Sequence, residues 1–138
     1  MADGAPSRQT LSALTRYTAV SRQVFDGQDL TSLQAMHLWF KRCSFVGADL
    51  RHATLDGCSF ILCDLRGADL RGASLRDVSW AGCDLRDADL RDTNLTAGQL
   101  GLVNTGAPPH GLTDVTGARF DDAITNDLQI DQVIGWAR

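Results

Sequence analysis

The sequence predicts an all-β fold, a single-domain parallel β-helix with four sides. Two superimposed periods predict it. A large apolar residue recurs at every fifth position from Phe25 to Leu100, interrupted once at Ala35, and a longer period of twenty relates particular side chains. Neither an α-helix nor a straight strand brings every fifth side chain to the same side. The chain must therefore turn a corner once in every five residues.

The residues between the large apolar positions explain how the corner is made. Two positions before each large residue, from Cys43 onward, lies a small or medium residue, and a polar residue separates the two, as in Ala68-Asp69-Leu70. In an extended segment the small and large side chains point inward and the polar one outward. The other two residues form the corner. They often include glycine or aspartate, which tolerate unusual backbone dihedrals.

The period of twenty sets the number of sides. Two sets of residues share this spacing, the aromatic residues Phe40, Phe60 and Trp80 and the small residues Cys43, Cys63 and Cys83. Four five-residue sides make one coil of twenty, so each set would form a column inside the helix. Successive coils would stack by hydrogen bonds at about 4.8 Å, and each would touch only its neighbours.

The run GADLRHATLDGCSFILCDLRGADLRGASL, which starts at Gly47, resembles the pentapeptide repeat proteins, whose motif is A(D/N)Lxx. The resemblance covers residues 43–100 and, more loosely, 23–42. It implies a right-handed quadrilateral β-helix. Some members of this family are taken to mimic duplex DNA and to bind DNA gyrase, which gives quinolone or antibiotic self-resistance. Fold by itself does not fix function.

We expect residues 1–138 to form a single domain, which includes the N-terminal residues. We expect residues 1–22 to form a loose tail and a capping helix, followed by pentapeptide repeat coils over 23–100. The helix is expected over residues 8–22, because apolar residues there keep a helical spacing. Those residues are Leu11, Leu14, Tyr17 and Val20.

The repeat pattern breaks at residues 101–112, where Pro108 and Pro109 lack the backbone N–H that a ladder requires. The five-residue phase resumes afterward. We therefore expect a loop that bulges out, then a final coil and C-terminal cap over 113–138. Trp136 in this tail would cover the last coil. Alternatively it would form a homodimer contact through the C-terminal end, because an open β-helix end is an exposed strand edge.

No residue pattern indicates catalysis, a cofactor or a metal ion. Four cysteines, Cys43, Cys58, Cys63 and Cys83, share the small inward position and contain no CxxC pair. We interpret them as small buried residues rather than metal ligands or disulfides. We predict that the protein is not an enzyme and has no catalytic, cofactor-binding or metal-ligating residue. An enzyme or substrate-holding accessory protein that uses the 101–112 loop is a third alternative.

Charge and hydropathy exclude two classes of partner. The net charge is −4, all 17 acidic residues are aspartate, and 12 of the 13 basic residues are arginine. An acidic chain is a poor binder of polyanions, so we expect no direct nucleic-acid contact. No apolar run reaches the roughly 18 residues of a membrane span, and no long apolar stretch typical of a secretion signal occurs near the N-terminus. We expect a cytoplasmic protein without membrane contact.

Two surface features could contact a partner. Aspartates one coil apart form a carboxylate ladder with arginines in parallel, which is either a solvated ionic surface or an acidic face for a basic groove. Like charges at this spacing could raise the carboxyl pKa values, and the arginines would oppose that. Ile61 and Leu62 take outward corner positions on the side that carries Trp39. Such an apolar patch marks a partner site or a segment that folds back, and the 101–112 loop starts on the same side.

We therefore predict a non-enzymatic protein-interaction module that presents a rigid, mildly acidic β-helical surface to a protein partner. The alternative is a DNA mimic that protects DNA gyrase or another topoisomerase and gives quinolone-type resistance. The candidate partner-contact residues are Trp39, Ile61, Leu62, Asp49, Asp69, Asp89 and Trp136.

Overall fold

Seven short strands occur in a β-solenoid, and six of them, all but the sixth, stack in parallel on its first side. The structure is a computed structural model, which describes residues 11, 13, 14, 16–103 and 111–136. The strands are β1 (Ala19–Ser21), β2 (Trp39–Lys41), β3 (Ser59–Ile61), β4 (Ser79–Ala81), β5 (Gln99–Val103), β6 (Gly111–Leu112) and β7 (Gln129–Ile130). Strands β1 to β5 pair in parallel, and each residue pairs with the residue twenty positions later.

Three further sides complete each coil. We number the side of β1–β5 as side 1. Single-residue parallel bridges hold the others, for example Ser44↔Asp64 on side 2, Asp49↔Asp69 on side 3 and Thr54↔Ser74 on side 4. The four-sided parallel β-helix predicted from the two periods is thereby confirmed. No helix in the described parts of the chain is long and apolar enough to cross a membrane.

The corners explain why a period of five returns the chain to the same direction. The Ala48 N–H donates to the Phe45 carbonyl oxygen at 3.0 Å, which encloses Val46 and Gly47. Gly47 has a φ of 64°, whereas Val46 is not among the residues with positive φ. A positive φ at only the second central residue is the geometry of a type II turn. Asp87 holds the same position with a φ of 60°, so aspartate also supports this corner.

The inward columns form one continuous core. Phe40, Phe60 and Trp80 are buried and stack with centroid distances of 5.0 and 4.6 Å and nearly parallel rings. Beside them lie the buried free thiols of the cysteines. The Cys63 Sγ lies 3.3 Å from the Phe40 carbonyl oxygen, and Cys83 is placed in the same way against Phe60 at 3.1 Å. Each thiol thus contacts a carbonyl group inside the core.

The capping helix predicted over residues 8–22 is wrong from residue 16 onward. Residues 8–10, 12 and 15 lie outside the described residues; Leu11 and Ala13 are helical, but residues 16 and 17 form a turn and strand β1 follows. Ladder hydrogen bonds take its place: Tyr17 N–H donates to the His37 carbonyl oxygen at 2.6 Å, and Trp39 N–H to Thr18 at 3.0 Å. Pairing with β2 satisfies the backbone groups that a helix would have bonded internally. Leu11 is nevertheless fully buried against the core.

The final coil follows a hairpin. Strand β5 continues past its parallel segment and pairs antiparallel with β6, with Leu102 opposite Leu112. Afterward the ladder resumes with an offset of thirty, as in Asp84↔Asp114. The insertion of ten residues is a multiple of five, so every inward position keeps its phase. Residues 104–110, most of the expected loop, lie outside the described residues.

Candidate protein-interaction surfaces

The three aspartates of the predicted ladder lie on successive coils of side 3, and each is bonded to an arginine. Arg71 donates through Nε to Asp69 Oδ1 at 2.9 Å and through Nη2 to Oδ2 at 2.7 Å. The Arg71 backbone N–H donates to the same carboxylate at 3.2 Å. Arg51 with Asp49 and Arg91 with Asp89 repeat these forks. The carboxylate therefore supports the corner and holds one guanidinium.

The forks are linked between coils. Arg51 Nε lies 3.9 Å from Asp69 Oδ2, and Arg71 Nε lies 3.7 Å from Asp89 Oδ2, so cations and anions alternate along side 3. The same alternation occurs on side 2, in the pairs Asp64–Arg66 and Asp84–Arg86. A further ion pair, Asp56–Arg76, joins neighbouring coils. The ladder is therefore close to neutral, which weakens its interpretation as an acidic face.

Hydrogen bonds from arginine hold the pKa of Asp49, Asp69 and Asp89 below the usual aspartate range. The arginine also contributes its charge and its backbone N–H to the same carboxylate. At Asp69 the neighbouring Asp89 raises the pKa, but this contribution is smaller than those of Arg71. The rise that like-charge stacking could cause is therefore overcome by local pairing.

These lowered pKa values predict acid-sensitive stability. Because the folded pKa lies below the unfolded value of about 3.9, the stabilisation is complete above that value and is lost as pH falls through the folded pKa. In the Asp69→Asn variant the free energy of unfolding should fall less on acidification than in the wild type. The difference should be about 0.2–1 kcal/mol, the range for a partly exposed ion pair. Asparagine keeps the corner, because Asn94 already accepts the Thr96 N–H at 3.1 Å.

The measurement is urea unfolding followed by circular dichroism between pH 7 and pH 2. Asp92→Asn is the matched control, because Asp92 is exposed and accepts no hydrogen bond from an arginine in the described structure. The wild type and the control should lose stability together in acid, and Asp69→Asn should lose less. If the free energy of unfolding fell equally with pH in all three proteins, the ion pair of Asp69 would not contribute to acid-sensitive stability.

The residues of the predicted apolar patch lie on neighbouring strands of side 1. Trp39 pairs in register with Ser59, and Ile61 with Lys41, so the two apolar residues lie one strand apart and two positions along. Trp39 is 43% exposed, whereas Ile61 and Leu62 are half-buried.

Leu62 lies beside the base of the β5–β6 hairpin. A Cβ built on Gly82 would meet Leu62 Cδ2 at 2.9 Å, the Gly111 carbonyl oxygen at 3.1 Å and Val103 Cγ2 at 3.3 Å. These three groups therefore converge over Gly82. This arrangement favours the alternative in which a segment of the chain folds back on the apolar patch at Leu62.

An exposed tyrosine ring lies beside Trp39. The Tyr17 ring lies 5.9 Å from the Trp39 ring and 6.0 Å from the His37 ring, measured between centroids. Tyr17 is 57% exposed, and Met36, next to His37, is 43% exposed. We name these four residues, Tyr17, Met36, His37 and Trp39, the aromatic surface. Sequence reasoning missed Tyr17 by placing it in a helix, although it precedes His37 by the diagnostic twenty residues.

Trp136 lies in the last coil, away from the aromatic surface. It is partly buried and meets Phe120 edge-on, with 5.1 Å between ring centroids. Together with Val115 they line an open pocket of about 480 Å³, which Asp121 and Asp122 border. The structure therefore separates the predicted partner-contact residues into three places, namely the aspartate ladder, the side of Trp39 and the last coil.

The sequence profile described as a pentapeptide repeat region matches residues 34–107, more than half of the chain. This chain belongs to the pentapeptide repeat family. The profile covers the coils whose corners and columns are described above, so the resemblance seen in the A(D/N)Lxx motif is confirmed. No significant match was found among curated proteins.

Solved pentapeptide repeat structures resemble this one. The crystal structure of Rfr23 from the cyanobacterium Cyanothece 51142 is 16% identical, with a TM-score of 0.66, over 88% of this chain and 86% of that chain. This similarity shows the fold alone. Trypsin-treated QnrB1, a plasmid-mediated fluoroquinolone resistance protein, is 17% identical over 86% of this chain and 72% of that chain, with a TM-score of 0.38. A pentapeptide repeat protein from the Arabidopsis thaliana thylakoid lumen is 23% identical over 87% and 68%, with a TM-score of 0.24.

The four cysteine thiols of this pentapeptide repeat protein lie in its core. Burial raises the pKa of the Cys58 thiol to about 11, so it is protonated and a weak nucleophile at neutral pH. The described residues contain no group of three or more histidine, cysteine or aspartate side chains placed to hold a metal ion. The described surface carries paired charges and exposed aromatic rings.

Proposed function

We propose that the protein is a non-enzymatic interaction module that presents a rigid solenoid surface to a protein partner, which docks on the aromatic surface. The observation that carries this proposal is the cluster of Tyr17, Met36 and Trp39, each at least 43% exposed. On later coils Ser59 and Ser79 take the position of Trp39. Clustered exposed apolar side chains on a polar protein are typical of an interaction site.

The scaffold supports this role by holding the aromatic rings in place. Trp39 lies within β2, which pairs with β1 and with β3 along all three of its residues. A tryptophan on a rigid strand loses little conformational freedom when a partner covers it, and tryptophan and tyrosine are enriched among residues that dominate binding energy.

The DNA-mimic alternative is less well supported. A mimic needs carboxylates that can engage the arginines and lysines of a topoisomerase in place of phosphates. Here Asp49, Asp69 and Asp89 are already bonded to arginines of the same chain. Those internal forks would have to break before the aspartates could contact a basic groove.

A homodimer through the C-terminal end is the other partner candidate. The pocket beside Phe120 and Trp136 would supply apolar contact area. Asp121 and Asp122 border the same pocket, so a two-fold contact would bring their carboxylates toward those of the second copy. Like charges that face each other oppose association. We therefore place the primary contact on the aromatic surface.

Trp39→Ser tests the proposal. Serine is native at the equivalent positions of the next two coils, so the variant should keep its fold. We expect it to weaken the complex more than about tenfold, the usual consequence of removing a dominant aromatic contact. The measurement is quantitative affinity purification with crosslinking, followed by titration of the principal partner.

Val24→Ser is the matched control. Val24 is 56% exposed on side 2, and serine is native at the paired position Ser44. The control should recover the same partner as the wild type. Equal partner affinity of Trp39→Ser and wild type would refute docking at the aromatic surface.

A further inference from the structure

The cations around the aromatic surface differ from the arginines of the later coils. Each arginine between positions 51 and 91 forms an ion pair with an aspartate. Those pairs involve Arg51, Arg66, Arg71, Arg76, Arg86 and Arg91. The basic residues of the first coils, Arg16, Arg22, Lys41 and Arg42, are exposed and form no ion pair among the described residues. The chain is acidic overall, so four unpaired cations near one side are a local exception.

These cations flank the aromatic surface on both edges. Arg16 directly precedes Tyr17 at the corner that leads into side 1. Lys41 follows Trp39 by two positions in β2, and both side chains point outward because only the residue between them is buried. Arg22 and Arg42 occupy the next corner, one coil apart, each with a positive φ. A partner on the aromatic rings would therefore meet positive charge on either side.

The nearest aspartates are engaged elsewhere. The Asp26 carboxylate accepts from the Ser44 hydroxyl and from the Val46 N–H at 2.8 Å. Asp56, at the corner one coil beyond Met36, accepts from the Ser74 hydroxyl and from Arg76. Asp29 is bonded to the Thr31 hydroxyl on side 3. Among the described residues, these cations thus form no ion pair with a neighbouring carboxylate.

A groove adjoins the aromatic surface at Met36 and Arg16. It is open, has a volume of about 450 Å³, and is lined by Leu14, Leu33 and Ala35 as well as by these two residues. Ser32 and Gln34 also line it, so its walls are a mixture of apolar and polar groups, with Arg16 among them. A side chain that enters it would place an apolar group against the leucines while a neighbouring carboxylate could reach Arg16.

We infer that the aromatic surface binds an acidic segment of a partner protein, in which carboxylates flank an apolar or aromatic side chain. The apolar group packs on Tyr17, Met36 and Trp39, and the carboxylates pair with Lys41 and with Arg16 or Arg42. The inference rests on the proposed docking function of this surface and adds the chemistry of the partner. Complementary charge at the edges of an apolar contact accelerates association and fixes orientation.

The test titrates the full chain with a fluorescein-labelled synthetic peptide of glutamates around a central phenylalanine and follows fluorescence anisotropy. Probes for comparison are the same peptide with glutamine for glutamate and a single-stranded DNA oligonucleotide, because cations beside aromatic rings also bind nucleic acid. We expect the acidic peptide to bind about tenfold more tightly than the glutamine peptide and to weaken as salt increases. Tighter binding of the oligonucleotide, or equal binding of both peptides, would overturn the inference.

The charge variant combines Lys41→Ala and Arg42→Gly, which are the residues that Ala81 and Gly82 supply two coils later. Arg119→Ala on side 3 of the last coil is its control. The double variant should weaken acidic-peptide binding at least about fivefold, as expected for lost charge pairs, and the control should not. An unchanged affinity of the double variant would overturn the inference.

The outcomes separate the inference from the proposed function. If Trp39→Ser abolishes peptide binding while the charge variant has no effect, the surface docks a partner without recognising its charge, and only the inference is overturned. If Trp39→Ser leaves the cellular partner bound, the proposed function fails, whereas the charge variant still reports on the acidic peptide.

Discussion

Replacing Phe60 by alanine should lower the free energy of unfolding by about 3–5 kcal/mol, the range for truncating a buried aromatic residue. Phe60 is 1% exposed and stacks on Phe40 and on Trp80, with centroid distances of 5.0 and 4.6 Å. It also meets Phe45 edge-on at 5.9 Å. Alanine would leave a cavity between two flat rings, and the hydrogen-bonded coils above and below cannot close it.

Chemical unfolding monitored by circular dichroism measures this loss. Phe60→Leu is the matched control, because leucine is native at equivalent inward positions such as Leu65 and Leu70. Leucine should lower the free energy of unfolding much less than alanine does, since it retains most of the buried volume. Similar stabilities of the alanine variant and the wild type would show that the aromatic column does not support the solenoid.

Replacing Thr113 by valine should lower the free energy of unfolding by about 1–3 kcal/mol, the penalty for leaving a buried polar group unsatisfied. Thr113 is fully buried and takes the inward position after Cys83 in the cysteine column. Its hydroxyl accepts the Cys83 N–H at 3.1 Å, and it can donate to the Gly101 carbonyl oxygen at 2.7 Å or to that of Trp80 at 3.1 Å. Valine has almost the same shape but cannot make any of these bonds.

Thr113→Ser distinguishes the hydroxyl from the methyl group. Serine keeps the hydrogen bonds and loses one buried methyl group, worth about 1 kcal/mol. Chemical unfolding should therefore rank wild type above serine and serine above valine. Amide hydrogen exchange at Cys83 should be faster in the valine variant only. A valine variant as stable as the wild type, beside a destabilised serine variant, would mean that the methyl group, rather than the hydroxyl, holds the final coil to the one before it.

The fold was predictable to a large extent because its information is local and repeated. Each corner needs one residue that tolerates positive φ, such as Gly47 or Asp87, and each side needs one small and one large inward residue. Four equal sides give the period of twenty, and this period alone predicts that Phe40, Phe60 and Trp80 form one column, as they do. In a solenoid each coil touches only its neighbours, so local rules propagate along the chain.

The candidate site was predictable only in part. Trp39 was identified from its outward phase, but its companion Tyr17 was assigned to a helix, because apolar residues from Leu11 to Val20 happen to keep helical spacing. The position of a residue in the repeat does not determine which other side chains it contacts. The spacing of Asp69 suggests an acidic ladder, whereas its fork with Arg71 depends on a side-chain rotamer that pattern alone does not specify.

The sequence by itself determined the coil, its four sides, its inward columns and the phase that survives residues 101–112, because each depends on repeated backbone geometry. The tertiary structure decided what repetition cannot encode. It paired the ladder aspartates with arginines, placed Leu62 beside Val103 and Gly111 over Gly82, and gave the cations around Trp39 no ion pair within the described part of the chain. Those outcomes depend on contacts between different coils and on segments outside the repeat, where long-range packing and electrostatics compete.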